Sequence, residues 1–429
     1  MDPIPQPIVK AEPEPEFAAL VAIDWADQKH YWSLQVVGQK GLQRGTLDNT
    51  PEAVEVWTME LHARFGGRPL AVALEQRRGA LAVMLSKYAH LHLYPVHPTT
   101  LAKFREAWYP SRSKSDPSDA DLLLEILTAH RSRLRRLDPD TVEMRLLQNL
   151  VENRRKLVDE RTALSNRLTD VLKLYFPQIL GWFTEVASVV VGDLLQQWPT
   201  LQDLQWVKPA KLEKFLRDHH CADIPERLTQ IRQAIPATHD RALLDSAPYQ
   251  VVAWVGQMAV LRESIRQLEK RIAELAAQQP DWHIFQSLPG AGAALAPRLM
   301  VALGTQRDRY RSASELQSFS GIAPVKEASG NTQWVHFRWA APKFLRQSFH
   351  EWAACSIAQS EWAAAYYQQQ KARGKSHHVA VRALAFKWML ILYRCWKDRQ
   401  PYREEMYLAS LAKRGSTLVA ALAQASQMK

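Results

Sequence analysis

The sequence predicts a mixed α/β domain followed by a mainly helical body. Through the first 110 residues, short β-rich apolar runs alternate with stretches whose apolar residues recur at helical spacing, which is typical of an α/β sandwich around a mixed sheet. Two long amphipathic stretches follow, at residues 141–175 and 254–275. From Trp282 onward the chain is rich in aromatic residues at helical spacing.

The composition describes a soluble globular protein with a polyanionic partner. The chain has 429 residues, enough for two or three domains, with 47% hydrophobic and 23% charged residues. Its formal charge of +11 and pI near 9.5 favour nucleic acid. No apolar run is long enough to span a membrane. Three scattered cysteines indicate a reduced, cytoplasmic setting without a zinc finger or disulfide framework.

Residues 17–136 form the predicted α/β domain, after a Pro- and Glu-rich tail at 1–16 that we expect to be disordered. We predict strands at 18–23, 31–36, 69–74 and 90–95, with a short additional strand at 41–47. Helices are predicted at 51–65, 79–89 and 98–108, and another that opens at Asp116.

Four carboxylates stand at the ends of these elements. Asp24 ends the first strand, Glu75 follows the strand at 69–74, and Asp116 and Asp119 open a helix, where their spacing places them on one face. Lys114 lies beside them. Acids at such ends converge at one edge of a sheet, and carboxylates are the oxygen ligands that Mg²⁺ takes. The set can hold two divalent ions for phosphodiester exchange.

Another interpretation of the acidic pair stays open on these residues alone. Asp116 fits a helix N-cap, Pro117 the first helical position, and Asp119 the acidic third position of a capping box. Such boxes are far commoner than metal sites. The acids Asp24 and Glu75 at the ends of two strands are what favours a metal site over a capping box.

A basic run and a helical stalk follow the acids. The basic run follows closely in sequence on the acids predicted to act on a phosphate, which favours its contact with a nucleic-acid backbone. It consists of Arg131, Arg133, Arg135 and Arg136. Residues 137–280 then form a predicted antiparallel coiled-coil stalk with a helical insertion. The seam of its second helix is predicted to consist of Trp254, Met258, Leu261, Ile265, Leu268, Ile272 and Leu275.

Residues 281–402 form a predicted, mainly helical C-terminal domain, and 403–429 a helical tail. Gly290 and Gly292 resemble the hairpin of a helix-hairpin-helix element, in which the backbone approaches a phosphate. Ser329 stands in a Ser-Gly turn, an arrangement that is usually only a turn. Four cations near it in sequence provide a field suited to phosphate: Lys326, Arg338, Lys343 and Arg346.

Taken together, these motifs resemble a known family of DEDD-type insertion-sequence transposases, the bridge-RNA-guided serine recombinases. The matching motifs are Ala-Ile-Asp24-Trp, Leu-Glu75-Gln, Lys114-Ser-Asp116-Pro-Ser-Asp119-Ala, Pro289-Gly-Ala-Gly292, Gly321-Ile-Ala-Pro324 and Ser329-Gly330. The chain departs from the family pattern after Asp24 and between Ser329 and Arg346. The resemblance implies an N-terminal domain similar to the Holliday-junction resolvase RuvC, with an RNase H-like fold.

The same resemblance implies the function and the roles of the residues. The four acids would bind Mg²⁺ at the scissile phosphate, and Ser329 would attack it and form a phosphoserine intermediate. A structured guide RNA encoded by the element would select donor and target DNA, and the protein would act as a homo-oligomer, a dimer or a tetramer. Two alternatives remain: a metal-dependent junction nuclease in which Ser329 is only a turn residue, and a non-catalytic nucleic-acid-binding scaffold.

Overall fold

The structure, a computed structural model, describes residues 15–75, 79–108, 116–330, 332–338, 341–416 and 418. By its internal contacts the chain divides into two units, one that ends at Pro139 and one that begins at Asp140. Most of the tail predicted at 1–16 lies outside the described residues.

The N-terminal unit contains one five-stranded mixed sheet in the order β3-β2-β1-β4-β5. Its strands are β1 (Ala19–Asp24), β2 (Lys29–Val36), β3 (Leu42–Asp48), β4 (Leu70–Leu74) and β5 (Leu91–Pro95). The first three strands pair antiparallel, whereas β1, β4 and β5 run parallel to one another. This mixed sheet confirms the predicted α/β class and is compatible with an RNase H-like domain.

Both faces of the sheet are covered by helices. The helices are α1 (Pro51–Arg64), α2 (Ala80–Leu85), α3 (Pro98–Trp108) and α4 (Asp116–His130), followed by a 3-10 turn at Arg131–Arg133. Thr50 caps α1, because its side chain accepts a hydrogen bond from the amide of Ala53 at 3.2 Å. Helix α2 is shorter than the predicted 79–89. Val21 and Ile23 pack with α1 and α2, whereas the alternating residues of β1 face α4.

The second unit is built on two long antiparallel helices, α5 (Val142–Tyr175) and α11 (Arg241–Ala277). Leu147 near the start of α5 shares a core with Ile272 near the end of α11, and Leu172 shares one with Val251 at the opposite ends. Met258, Ile265, Ile272 and Leu275 of the predicted seam are buried, and its other three members are half-buried. The antiparallel pair is as expected, while coiled-coil packing stays a prediction.

Five helices join these two long ones, as the predicted insertion requires. They are α6 (Gln178–Trp182), α7 (Val189–Gln197), α8 (Leu201–Trp206), α9 (Pro209–Asp218) and α10 (Ile224–Gln233). Beyond α11 lie α12 (Trp282–Gln286), α13 (Gly292–Leu303), α14 (Ala313–Phe319), α15 (Lys343–Ser356), α16 (Glu361–Ala372), α17 (His377–Asp398) and α18 (Glu404–Lys413). One antiparallel hairpin interrupts them, β6 (Pro324–Ser329) with β7 (Thr332–Phe337). These two strands were not predicted from the sequence.

Four buried tryptophans stabilise the C-terminal helices. Their indole N–H groups all have acceptors: Trp352 donates to the carbonyl of Pro289, Trp388 to Ser356, Trp362 to Tyr402 and Trp396 to the carbonyl of Gly304. The same hydrophobic cluster includes residues from the ends of α5 and α11. The predicted boundary at 280 therefore crosses a shared core, and the predicted domain division stays a prediction.

None of the described helices is both long enough and apolar enough to cross a bilayer.

The antiparallel pair gives a direct test of packing. Ile272→Ala removes a side chain that is 3% exposed between α5 and α11, so we expect the free energy of unfolding to fall by about 2–4 kcal/mol. The matched control is Val260→Ala on the same helix, where the side chain is 67% exposed and the expected change is below about 0.5 kcal/mol. Urea denaturation followed by circular dichroism measures both; equal losses would mean that Ile272 does not carry the packing of the two helices.

Candidate functional site

Asp24 and Glu75 lie side by side at one edge of the sheet. Strands β1 and β4 are parallel and paired as far as Ile23 opposite Leu74, so the next residue of each strand, Asp24 and Glu75, continues that register. Neighbouring strands are about 4.8 Å apart, and side chains in register point to the same face. The Asp24 side chain is buried. The structure thus brings together two acids that are 51 positions apart in sequence.

Helix α4 covers the face to which these two acids belong. Side chains alternate along a strand, so Asp24 shares a face with Ala22, and Glu75 shares it with Ala73. Both alanines are buried in one cluster with Leu123 and Leu127 of α4. The acids therefore lie where α4 meets the sheet.

The direction of α4 places its first turn at the same edge. Near its start, Asp121 accepts a hydrogen bond from Ser33 at 2.6 Å, and Ser33 pairs with Ala22 near the end of β1. Just after its end, the Arg131 guanidinium lies 5.0 Å from the ring centre of Phe17, before the start of β1. Helix α4 thus runs antiparallel to β1, and Asp116 and Asp119 begin it at the edge that holds Asp24 and Glu75.

Asp119 is buried, and its charge is neutralised by an arginine. The Oδ1 atom of Asp119 lies 2.8 Å from Nε and 2.6 Å from Nη2 of Arg105 on α3. Asp119 therefore forms an ion pair with another helix. A capping box involves only hydrogen bonds at the start of its own helix and does not predict this contact. The backbone of Asp116 begins α4, while its side chain and the whole of Lys114 lie outside the described residues.

The donor set suits Mg²⁺, since all four predicted ligands are carboxylates. Among the described side chains, no three acidic, histidine or cysteine groups converge closely enough to hold a metal, and Asp116 is not among those side chains. Asp24, Glu75 and Asp119 nevertheless share one face and one edge. By their chemistry, these carboxylates are the residues that would hold Mg²⁺ at this edge.

His30 orders the loop that follows Asp24. The amide N–H of Ala26 donates to Nδ1 of His30 at 3.2 Å, and the imidazole is fully buried. Burial lowers the pKa of His30, because the charged form would lose its hydration. The neutral ring is therefore the form that supports this loop.

The basic run lies at the other end of α4 from the acids. Asp119 and Arg131 are separated by about 18 Å of helix. Arg131 stacks on Phe17, and Arg136 pairs with Asp138 at 2.5 Å. Arg133 and Arg135 are exposed. The basic run is close to the acids in sequence but not in space, because the four turns of α4 separate them. Contact of this run with a nucleic-acid backbone stays a prediction.

Ser329 ends β6 at the tip of the hairpin and is exposed. It pairs with Thr332 across a two-residue turn that contains Gly330 at a φ of 56°, the left-handed conformation that such tight turns require. The turn expected from the Ser-Gly sequence is therefore present, but it projects from the helical core instead of lying within it.

The predicted cations are distributed along this hairpin and its base. Lys326 lies on the face opposite to that of Ser329, because the two residues differ by an odd number of positions. Arg338 follows β7, roughly 20 Å of strand from the tip. Arg346 donates to the carbonyl of Arg338 at 3.3 Å, and Lys343 begins the same helix. Arg338, Lys343 and Arg346 therefore form a cationic base and do not surround Ser329.

The two hairpin glycines at 290 and 292 serve different purposes. A Cβ on Gly290 would lie 2.6 Å from the backbone of Cys355 and Ser356. The backbone N–H of Gly290 donates to Oε1 of Gln359 at 3.2 Å. Gly290 thus makes room for α15. Around Gly292 the corresponding space is open. Of the two, Gly292 is the better placed for the predicted phosphate contact.

Comparison with known proteins fits this arrangement. Residues 21–177 match the transposase family model DEDD_Tnp_IS110, and residues 282–368 match the Transposase IS116/IS110/IS902 family model, together more than half of the chain. The chain belongs to the IS110/IS116 family of transposases. A DEDD transposase domain implies dependence on a divalent metal, typically Mg²⁺.

Three relatives match along nearly their whole length. A mini-circle protein of Streptomyces coelicolor that is named as a transposase for IS117 is 26% identical over 93% of this chain and 98% of its own. An uncharacterized 43.6 kDa protein of insertion element IS110, from the same species, is 25% identical over 88% and 93%. A 44.8 kDa protein of IS116 from Streptomyces clavuligerus, also uncharacterized, is 23% identical over 89% and 92%.

In this transposase, two arginines that pair with acids were not predicted from the sequence, the half-buried Arg105 and the buried Arg298. Arg105 reaches Asp119 from another helix, and nothing in its local sequence distinguishes it from a surface arginine. Arg298 on α13 is 3% exposed and pairs with Glu351 at 2.5 Å. Its position among apolar neighbours on a helix was the available signal, since a buried arginine needs a partner.

The ion pair of Arg105 with Asp119 predicts coupling between stability and metal. Arg105→Gln leaves a buried carboxylate without its counter-charge, so we expect the free energy of unfolding to fall by about 3 kcal/mol. Mg²⁺ should then raise the unfolding temperature of the variant more than that of the wild type. The control is Arg44→Gln, whose more exposed pair with Asp121 should matter less. If Mg²⁺ raised the unfolding temperature of all three proteins equally, Asp119 would not be a ligand of the metal.

His30 predicts a loss of stability in acid. Because its folded pKa is lowered, the unfolded chain takes up the proton first; stability is complete above about pH 6.5 and falls as the pH drops toward the folded pKa. Unfolding temperatures measured from pH 8 to pH 5 should therefore decline less steeply for His30→Gln than for the wild type. His97→Gln, at an exposed histidine, is the control. A His30→Gln slope like that of the wild type would contradict the assignment.

Proposed function

We propose that this protein is a DNA transposase that cuts and rejoins the strands of an insertion sequence. The observation that carries the proposal is the convergence of Asp24, Glu75 and the first turn of α4 at one edge of the sheet. A capping box alone would not require acids in register at the ends of two neighbouring strands. Membership of the IS110/IS116 family supports the same conclusion.

The four acids would hold Mg²⁺ and position the scissile phosphate. The metal supplies positive charge for the phosphate oxygens in the transition state. The sheet fixes Asp24 and Glu75, and the first turn of α4, which contains Asp116 and Asp119, would supply the other two carboxylates. The partial positive charge at the start of α4 favours carboxylates there and limits the cost of gathering four acids.

Ser329 would be the nucleophile. Its hydroxyl is exposed at the tip of a hairpin, where a nucleic-acid strand can reach it without displacing the core. Attack on phosphorus would give a phosphoserine link that retains the phosphodiester for rejoining. Lys326 is the nearest of the four predicted cations along the hairpin.

The partners in this proposal are donor and target DNA, a structured guide RNA encoded by the element, and further copies of the chain in a dimer or tetramer. The charge of +11 supports a polyanionic partner. The family resemblance supports the RNA and the assembly.

A covalent-adduct experiment tests both sets of residues. The protein is incubated with labelled DNA, its copurifying RNA and Mg²⁺, denatured, and examined for a protein-linked band. Ser329→Ala should form no adduct because the attacking oxygen is gone. Asp119→Asn should form none because a carboxylate is lost from the metal site. Both should still bind nucleic acid in a mobility-shift assay. Thr332→Ala, opposite Ser329 on the same hairpin, should form the adduct normally.

Other outcomes favour the alternative functions. Cleavage by Ser329→Ala without a linked band leaves a metal-dependent nuclease. Normal cleavage by Asp119→Asn restores the structural interpretation of the acidic pair. Wild-type protein that binds but never cleaves is a scaffold.

A further inference from the structure

The strand register of the hairpin places an acid and a histidine on the face of Ser329. Cross-strand pairs are Ser329 with Thr332, Glu327 with Trp334 and Val325 with His336. Because side chains alternate and paired residues share a face, all six belong to one face of the hairpin. Between Pro324 and Arg338, Glu327 is the single acid in the sequence and His336 the single histidine.

The side chains on this face form a short polar chain. Trp334 donates its indole N–H to Nδ1 of His336 at 2.9 Å. The other ring nitrogen, Nε2, lies 3.4 Å from Oε1 of Glu327. Since Nδ1 is an acceptor, the neutral ring carries its proton on Nε2, which faces the carboxylate.

We propose that Glu327 accepts the proton of Ser329 during strand cleavage, and that His336, itself held by Trp334, positions the Glu327 carboxylate. The inference rests on the proposed role of Ser329 as the nucleophile. The two residues are two positions apart on one strand, so their Cα atoms are separated by about 7 Å, a distance that the extended glutamate and the serine side chain can bridge. Glu327 is half-exposed here, and it can change rotamer when substrate binds.

The step balances as a proton transfer coupled to phosphoryl transfer. The Ser329 O–H bond breaks, its proton goes to the Glu327 carboxylate, and Oγ forms a bond to phosphorus. The bond from phosphorus to one strand oxygen breaks, and that oxygen leaves with the electron pair and takes a proton from water. On rejoining, a strand hydroxyl attacks phosphorus and loses its proton to water, while Ser329 leaves and recovers its proton from Glu327.

The hydrogen bond from Trp334 to Nδ1 fixes the orientation of the His336 ring, so Nε2 faces the Glu327 carboxylate. No other ionisable side chain belongs to this face of the two strands; Lys326 points to the opposite face, and Arg338 lies beyond β7.

The test is the rate of adduct formation as a function of pH, in the full protein with its RNA, DNA and Mg²⁺. Glu327→Gln should reduce the rate by about 100-fold at neutral pH, because the variant lacks the base. The wild-type rate should reach a plateau as the pH rises. The Glu327→Gln rate should keep rising, about tenfold per pH unit, because hydroxide must then remove the proton.

His336→Gln should give a smaller loss with the plateau retained, because Glu327 is still present. The control is Gln333→Ala, on the opposite face of the same hairpin, which should match the wild type. Unfolding temperatures and mobility shifts verify that the variants fold and bind.

Two results would overturn the proposal: a Glu327→Gln rate equal to that of the wild type, or a slower rate that keeps the wild-type plateau, which indicates a structural role. Failure of the underlying function is a separate result, because it is read from the wild type and Ser329→Ala: either no adduct in the wild type or a normal adduct without the serine hydroxyl.

Discussion

The parallel pairing of β1 with β4 is the constraint on which the candidate metal site depends. It fixes Asp24 and Glu75 in one register at one edge, on the face that α4 covers. Gathering carboxylates in a partly buried place is costly, since like charges repel and burial removes hydration. The protein offsets this cost in two ways: the start of α4 carries partial positive charge, and Arg105 neutralises Asp119.

The pairing of Arg105 with Asp119 also determines the charge at the candidate site in this structure. Arg105 pairs with a carboxylate that Mg²⁺ would otherwise share, so Asp119 has a counter-charge without a metal.

The sequence was informative wherever local pattern and function coincide. Strand-end acids and the apolar run after Asp119 predicted the sheet edge and α4, and apolar spacing predicted the long helices α5 and α11. Arg105 could not be predicted, because its partner is fixed by the packing of α3 against α4. The predicted seam of α11 differs in part from the buried residues for a related reason. Val251 and Val255 are buried, whereas the predicted Trp254 is only half-buried, because the facing helix decides which residues are covered.

The hairpin that carries Ser329 was missed because its strands lack the usual signal of a buried face. A strand packed on a core alternates apolar and polar residues, whereas here Trp334 and Val335 are neighbours and both are largely exposed. A two-stranded hairpin is only marginally stable in water, so this one depends on its base and on whatever covers its strands. At the base, Gly321 packs against Ala341 and the Arg338 carbonyl. At the tip, the space around Gly330 is open. As the proposed nucleophile, Ser329 would be held precisely only when a bound strand covers the hairpin, which would couple its reactivity to the presence of its substrate.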